Sequence, residues 1–455
     1  GPAWRGAGRV TPNASKLWIS TAPTTGGFVM TLSNSQDRQL RERARAVIPN
    51  GMYGHQSVAL LPDAYPQFFA KAEGAHLWDV DGNRYLDFMC GYGPNLLGYC
   101  HPKVDAAAAA QQKLGDAMTG PGPAMVAFAE KLVSLVTHAD WAIFCKNGTD
   151  ATTMAMMVAR QHTRKRKIIV AKGAYHGAAP WSTPNPAGTV AEDRAHLLTC
   201  TYNDVESLEA TVREAGDDLA GLFASPFKHD AFTDQSLPER AYATRARELA
   251  DKSGALLIVD DVRAGLRMAR DSSWSLVGVQ PDLSCWGKDI ANGYPISALL
   301  GVEKARAAAG AIYVTGSFWF AAVAMAAGVA TIDEIQSSDY LEKTIRLGEK
   351  LRAGLGTLAK HHDFSIRQTG PAQMPLILFD EDSDFRVGYC WSAEMLKRGI
   401  YVHPWHNMFL CAAMTDSDID SALNAADDSF KAVKASRSTL EPHAGLAAML
   451  KGRRR

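Results

Sequence analysis

From about residue 120 onward the chain alternates amphipathic stretches of helical length with apolar runs of four to seven residues that show no polar–apolar alternation. Few folds accommodate that pattern. Residues 124–137 (AMVAFAEKLVSLVT) predict a helix and 141–145 (WAIFC) a strand. A helix from about residue 149 and the strand 167–171 (KIIVA) follow. Residues 239–252 (ERAYATRARELADK) predict a helix that stops at Gly254, and 256–259 and 296–302 predict buried strands. An unalternated apolar strand is covered on both faces, so strands of this kind between helices predict a mainly parallel, doubly wound α/β sheet. Such a sheet binds ligands in the crevice at the carboxyl ends of its strands.

The texture changes after Gly328, where long amphipathic helices dominate, with short strands expected at 375–379 and 399–402. The reading divides the chain into a leader at 1–29, an N-terminal segment at 30–90, a large domain at 91–329, a smaller C-terminal domain at 330–440 and a tail at 441–455. In the N-terminal segment, residues 77–87 (LWDVDGNRYLD) read as two strands joined by an Asp-Gly turn. This hairpin is expected to pack with the C-terminal domain and give it α+β character. The leader, rich in Gly, Pro, Ser and Thr and placed before Met30, lacks the charged-then-apolar layout of a secretory signal. It is set aside as disordered or added sequence, and Arg453–Arg455 as a frayed, solvated end.

Composition excludes several classes. With 48 Lys+Arg against 48 Asp+Glu among 455 residues, no basic footprint for nucleic acid is visible. No apolar run reaches the roughly 18 residues of a membrane span. The seven cysteines (Cys90, Cys100, Cys145, Cys200, Cys285, Cys390, Cys411) form no CxxC pair. Neither a disulfide framework nor a zinc site is indicated, no metal is expected, and a cytoplasmic location fits.

Three local patterns can carry chemistry. Lys288 follows Gly287 in a turn after an apolar strand (Ser284–Trp286). Desolvated there, its amine becomes a usable nucleophile, although an isolated Gly-Lys is more often a surface turn. Asp260 ends the strand 256–259. It can point into the ligand crevice and hold a heteroaromatic nitrogen protonated, or cap the next helix. Asn147-Gly148-Thr149-Asp150 joins a strand to a helix and offers either an anion site or an ordinary cap, the carboxylate of Asp150 favouring the cap.

Taken with Ile48-Pro49-Asn50-Gly51, the 81–88 hairpin, Leu97–Pro102, Tyr175-His176-Gly177, Tyr202-Asn203-Asp204, Ala324–Gly328 and Met414–Asp420, the chain resembles the class III, fold type I pyridoxal-phosphate aminotransferases, in particular the glutamate-1-semialdehyde aminomutase-like branch. The resemblance runs from about Arg41 to Asp428. It implies pyridoxal 5′-phosphate held as a Schiff base on Lys288, with Asp260 on the pyridine nitrogen. It further implies Val262 and Tyr175 on the two ring faces, His176 beside the cofactor, and Asn147, Gly148 and Thr149 at the phosphate. Ser317 falls where relatives reach the partner subunit's phosphate, which implies a homodimer with shared sites. The implied reaction is ping-pong transfer of an amino group from a small-molecule donor to a carbonyl acceptor. The alternatives are a 2,1-aminomutase or racemase of the same family, or a non-catalytic binding protein on this fold.

Departures bear on the substrate. Ser225 replaces the family's gating glutamate, and Ser57 stands where the aminomutases carry a carboxylate-binding arginine, so a dianionic substrate loses its bidentate clamp. Tyr53, His55, Trp286, Trp319, His403, Trp405 and His406 fall near places where relatives line the substrate pocket; each fits a pocket or core packing equally. With them, a donor less anionic and bulkier than glutamate 1-semialdehyde is expected. The three histidines lack the spacing of a metal site.

Overall fold

The computed structural model describes residues 29–453; residues 1–28, which hold nearly all of the expected leader, and the last two arginines lie outside the described residues. A seven-stranded sheet forms the centre, in the order Trp141–Cys145, Ser297–Gly301, Leu283–Trp286, Leu256–Asp260, Leu219–Ala224, Lys167–Ala171 and Leu197–Cys200. The strands at 219–224, 256–260 and 283–286 are buried at every position, which explains why their sequences carry no alternation. Helices Gly148–Thr163 and Arg240–Ser253 cover the sheet, the latter ending on Gly254 in a left-handed conformation.

One strand departs from the parallel pattern. Ser297–Gly301 runs antiparallel to both neighbours, Trp141–Cys145 and Leu283–Trp286, whereas the other pairings are parallel. Apolar content alone carries no direction. The reversal follows from the short turn 287–296, too short for a covered crossover, and it brings Ser297 to the same edge as Asp260 and Lys288.

A four-stranded sheet, in the order Phe69–Glu73, His76–Asp79, Arg84–Asp87 and Ile400–Tyr401, lies beside the large one. Ile400 and Tyr401 pair in parallel with Leu86 and Asp87, so the N-terminal hairpin and a C-terminal strand share one sheet. Phe88, Phe379, Trp391 and Phe430 belong to the core beneath it. The strand Phe69–Glu73 (FAKAE) escapes sequence reading because it is largely exposed and mostly polar or small. A two-stranded antiparallel ribbon pairs Ile366–Thr369 with Leu376–Phe379.

The last stretch differs from the tail expected for it. Residues Ala444–Arg453 form a helix, with Leu446 fully buried and its N–H donated to His443 Nδ1 at 3.2 Å. Burial of Leu446 favours this short helix, whose sequence has little amphipathic pattern.

Candidate active site

Several loops converge at the carboxyl edge of the large sheet. They enclose a cleft of about 470 Å³ lined, among others, by Gly148, Thr149, Tyr175, His176, Asp260, Val262 and Lys288. The topology explains the convergence: these residues follow the strands ending at Cys145, Ala171, Asp260 and Trp286.

Lys288 sits at φ 45°, a left-handed conformation unusual for a residue with a side chain. Gly287 before it is required by space, since a Cβ there would lie 2.6 Å from Ser297 Oγ. The Lys288 amine donates to the Tyr92 carbonyl oxygen at 3.0 Å. Burial, followed by the nearby Arg263 guanidinium, brings its pKa down to about 8, against a smaller upward pull from Asp289. Such an amine is partly neutral near physiological pH, as a nucleophile must be.

Asp260 is buried, and its Oδ2 lies 2.7 Å from His176 Nδ1. A carboxylate only accepts, so Nδ1 carries the proton and the ring is fixed in that tautomer. The Asp260 Oδ1 accepts the Val262 N–H at 3.3 Å. His176 is anchored in turn by its carbonyl, which accepts Thr152 Oγ1 at 2.7 Å. The carboxylate is thus oriented from behind while it lines the cleft.

Gly148 and Thr149 open the helix Gly148–Thr163, so their N–H groups lack acceptors within the helix. Gly148 is needed because a Cβ there would lie 2.8 Å from Val262 Cγ1. Thr149 Oγ1 accepts the Ala178 N–H at 3.0 Å, which leaves its own hydrogen free to donate. Asp150 turns back and accepts the Asn147 N–H at 2.9 Å. It therefore serves the cap, as its charge suggested, and leaves the anion position to the amides.

These residues fit pyridoxal phosphate. An oriented carboxylate, a desolvated lysine amine and unpaired helix-start amides face one cleft, matching in kind a pyridinium nitrogen, an aldehyde and a phosphate. Ser317 lies elsewhere, exposed on the loop before the helix Ala322–Ser337.

The substrate-side expectations divide. Trp286 is fully buried and donates Nε1 to Ser284 Oγ at 2.7 Å; it packs in the core against Gly265, where a Cβ would lie 2.5 Å from its ring. Its place in a strand buried on both faces, one residue before the turn, rules it out of the cleft. Trp319 folds back on Gly316, and Tyr53 is 70% exposed. Ser57 caps a short turn by accepting the Ala59 N–H at 3.4 Å. Among the expected aromatics and histidines, His55, His403, Trp405 and His406 do come together around Tyr92. The Tyr92 ring lies 4.6 Å from His55, 5.4 Å from His406 and 6.2 Å from His403. Trp405 meets His403 edge-on at 4.4 Å and stacks on Phe232 at 4.2 Å.

The imidazoles in this cluster are uncharged. Burial holds His403 down at about 3 and His406 well below its usual value. His55, exposed at the edge of the cluster, is lowered to about 4 by partial desolvation, then by Lys288 and Arg263. His403 Nδ1 accepts the His406 N–H at 3.1 Å, so its hydrogen is on Nε2. His406 Nδ1 faces the Asn407 carbonyl at 2.6 Å and must donate, so its Nε2 is an acceptor.

Sequence reading passed over the orienting role of His176, the Tyr92 carbonyl, and Arg263 and His229 in the cleft. Arg263 was within reach: it stands three residues past Asp260, in a segment already directed at the crevice. His229 carries no comparable signal.

Comparison with known proteins agrees with this geometry. Residues 62–428 match the family model for class-III aminotransferases. The chain is 55% identical to the aminopentol aminotransferase of Sphingopyxis macrogoltabida, covering 90% of this chain and 97% of that one. It is 31% identical to a glutamate-1-semialdehyde 2,1-aminomutase of Desulfitobacterium hafniense, covering 88% and 99%. Among solved structures it superposes on the PLP internal aldimine form of the FumI protein of Sphingopyxis sp. MTA144, with TM-score 0.90, 55% identity, and 90% and 100% coverage. The chain belongs to the class-III aminotransferase family and is a pyridoxal-phosphate-dependent aminotransferase acting on an amine donor and a carbonyl acceptor.

Proposed function

We propose that Lys288 and Asp260 are the catalytic pair and that the preferred donor is a bulky primary amine bearing hydroxyl groups rather than a second carboxylate. The observation that carries the substrate reading is the cluster of uncharged imidazoles around Tyr92, whose carbonyl holds the Lys288 amine. Neutral donors and acceptors suit hydroxyl groups, and a wall without guanidinium at Ser57 offers little to a dianion. The name of the aminopentol aminotransferase relative points to the same class.

Bound pyridoxal phosphate supplies an electron sink for the carbon that bears the amine. The Gly148 and Thr149 amides and the Thr149 hydroxyl would hold the phosphate. Asp260, fixed by His176, would keep the ring nitrogen protonated. Val262 and Tyr175 would bound the ring, and Asn147 sets the turn that presents the amides. The Lys288 amine would hold the cofactor's aldehyde and, once free, would take up the proton of the donor carbon and give it back.

The working unit in this reading is a homodimer in which Ser317 contributes to the partner's phosphate site. In support, the same loop leaves Tyr313 86% and Phe318 66% exposed, apolar surface that an interface would cover. The seven cysteines are all unpaired, in keeping with a cytoplasmic location. The domain division at residues 90, 329 and 440 is retained as a proposal, supported by the sheet that the N- and C-terminal segments share.

A donor panel tests the reading. A long-chain amino polyol, glutamate and glutamate 1-semialdehyde are each mixed with enzyme, and loss of the 400–430 nm absorbance is followed. The polyol should react at least tenfold faster than the other two. Efficient isomerisation of glutamate 1-semialdehyde without a keto acid would overturn both the substrate and the aminotransferase assignments.

A further inference from the structure

A phosphate ester carries roughly 1.5 to 2 negative charges at neutral pH, whereas the start of a helix offers about half a positive charge. The helix start at Gly148 is poorer still, because the Asp150 carboxylate turns back onto it. Asp150 Oδ2 accepts the Asn147 N–H at 2.9 Å and the Lys146 N–H at 3.3 Å. A phosphate seated on the Gly148 and Thr149 amides therefore needs a cation from outside the cap.

Three Lys and Arg side chains line the cleft: Lys146, Arg263 and Lys288. Under the proposed function Lys288 takes the aldehyde. Arg263 is fastened by Nη1 to the Asn407 side-chain oxygen at 2.7 Å and the His229 carbonyl at 3.2 Å, neither of which belongs to the cap. Lys146 is different, because it stands two residues before Gly148. Its strand neighbour Cys145 pairs with Ser297, which brings residues 295–297 alongside the helix start. Ser297 Oγ donates to the Lys146 carbonyl at 3.4 Å, and Lys146 Nζ donates to the Pro295 carbonyl at 2.8 Å. Pro295 and Ser297 line the cleft together with Gly148 and Thr149. The amine is thus pinned at the end of the cleft where the helix begins.

One bond to a neutral carbonyl leaves two of the three ammonium hydrogens and the whole charge uncommitted. Among the described residues Lys146 forms no ion pair with Asp or Glu. Burial pulls its pKa below the ordinary lysine value, against the upward pull of Asp116, whose Oδ1 accepts the Val323 N–H at 2.9 Å.

We propose that Lys146 supplies the counter-charge for the cofactor's phosphate and retains the cofactor in the half of the cycle when Lys288 does not hold it. The inference rests on the reading of Gly148 and Thr149 as the phosphate site. While Lys288 carries the cofactor, a covalent bond prevents its loss. After the amino group has been transferred, only non-covalent contacts remain, and charge-assisted hydrogen bonds are the strong ones among them. Pro295 lies seven residues past Lys288, so one side chain fastens both the phosphate end and the loop that bears the reacting lysine.

Calorimetric titration of the full-length protein, freed of cofactor, with pyridoxamine 5′-phosphate and with pyridoxamine tests this without turnover. The ratio of the two Kd values isolates the phosphate, since damage to the fold or to the ring site weakens both ligands alike. Wild type should favour the phosphorylated ligand. Lys146→Met should reduce that preference about 10- to 30-fold, and Lys146→Arg, which keeps the charge, should stay within about threefold of wild type. An unchanged preference in Lys146→Met, with pyridoxamine weakened as much as its phosphate or neither weakened, overturns the inference alone and leaves Lys146 a peg on Pro295. A wild type that binds both ligands equally overturns the underlying phosphate reading instead. Should Lys146→Met fail to fold, Lys146→Gln, which can still donate a hydrogen bond but carries no charge, is decided by the same ratio.

Discussion

The floor of the cleft and the ring cluster beside it are made in different ways. The floor comes from strand ends: Asp260 closes a strand, Lys288 follows one by two residues, and Gly148 starts a helix directly after another. Each side chain has its place set by regular structure and by the close approach of Val262 to Gly148 and of Ser297 to Gly287. The wall, a ring cluster of His55, Tyr92, His403, Trp405 and His406 that lies behind the cleft lining and meets it where the Tyr92 carbonyl accepts from Lys288, comes from irregular loops at opposite ends of the chain. It is held by ring contacts and backbone-to-imidazole hydrogen bonds. The floor is oriented charge and the wall is uncharged polarity. Under the proposed function the difference separates two tasks, since the cofactor is constant and demands fixed charges, whereas a substrate is selected by shape and neutral hydrogen bonds.

Changing the floor should cost most. Asp260→Asn removes the charge that keeps the ring nitrogen protonated, so the half-reaction should slow about 10²–10³-fold in single-turnover experiments while cofactor affinity stays within tenfold. A near-normal rate would make Asp260 a structural residue, like the wall.

The Lys288 amine offers a second test of the floor, by pH. With a pKa near 8, its neutral fraction grows about tenfold between pH 7 and pH 9 and then levels off. Loading of the apoprotein with pyridoxal phosphate, followed at 400–430 nm, should rise by that factor and reach a plateau. A rate still climbing above pH 9.5 would mean that Lys288 is an ordinary lysine.

The wall should respond more mildly and in a different quantity. His406→Phe keeps an aromatic ring but loses the Nε2 acceptor, so KM for a hydroxylated donor should rise about five- to tenfold, one hydrogen bond's worth. The cofactor absorbance should not change. A loss of absorbance would erase the distinction between floor and wall.

The same contrast explains what could be read from the sequence. Strand–turn–helix grammar marks Asp260, Lys288 and Gly148 as candidates at strand ends, and only the family resemblance gave them roles. The antiparallel direction of Ser297–Gly301 was hidden because apolar composition carries no sign of direction. For Trp286 the resemblance left pocket and core packing equally open, and the strand it ends, buried on both faces, decides for the core. His403 and His406 were noticed, but their protonation depends on burial and partners far away in sequence. Arg263 was visible as a charge beside Asp260, while its bonds to Asn407 and His229 could be seen only once those residues were placed.

The claim on which the rest depends is that Lys288 is the residue that carries the cofactor. Borohydride reduction of the holoenzyme followed by peptide mass mapping addresses it directly. The account predicts a phosphopyridoxyl group on the peptide containing Lys288 and none on Lys288→Ala treated in parallel. A label on any other lysine, or an equal label on the variant, would contradict it.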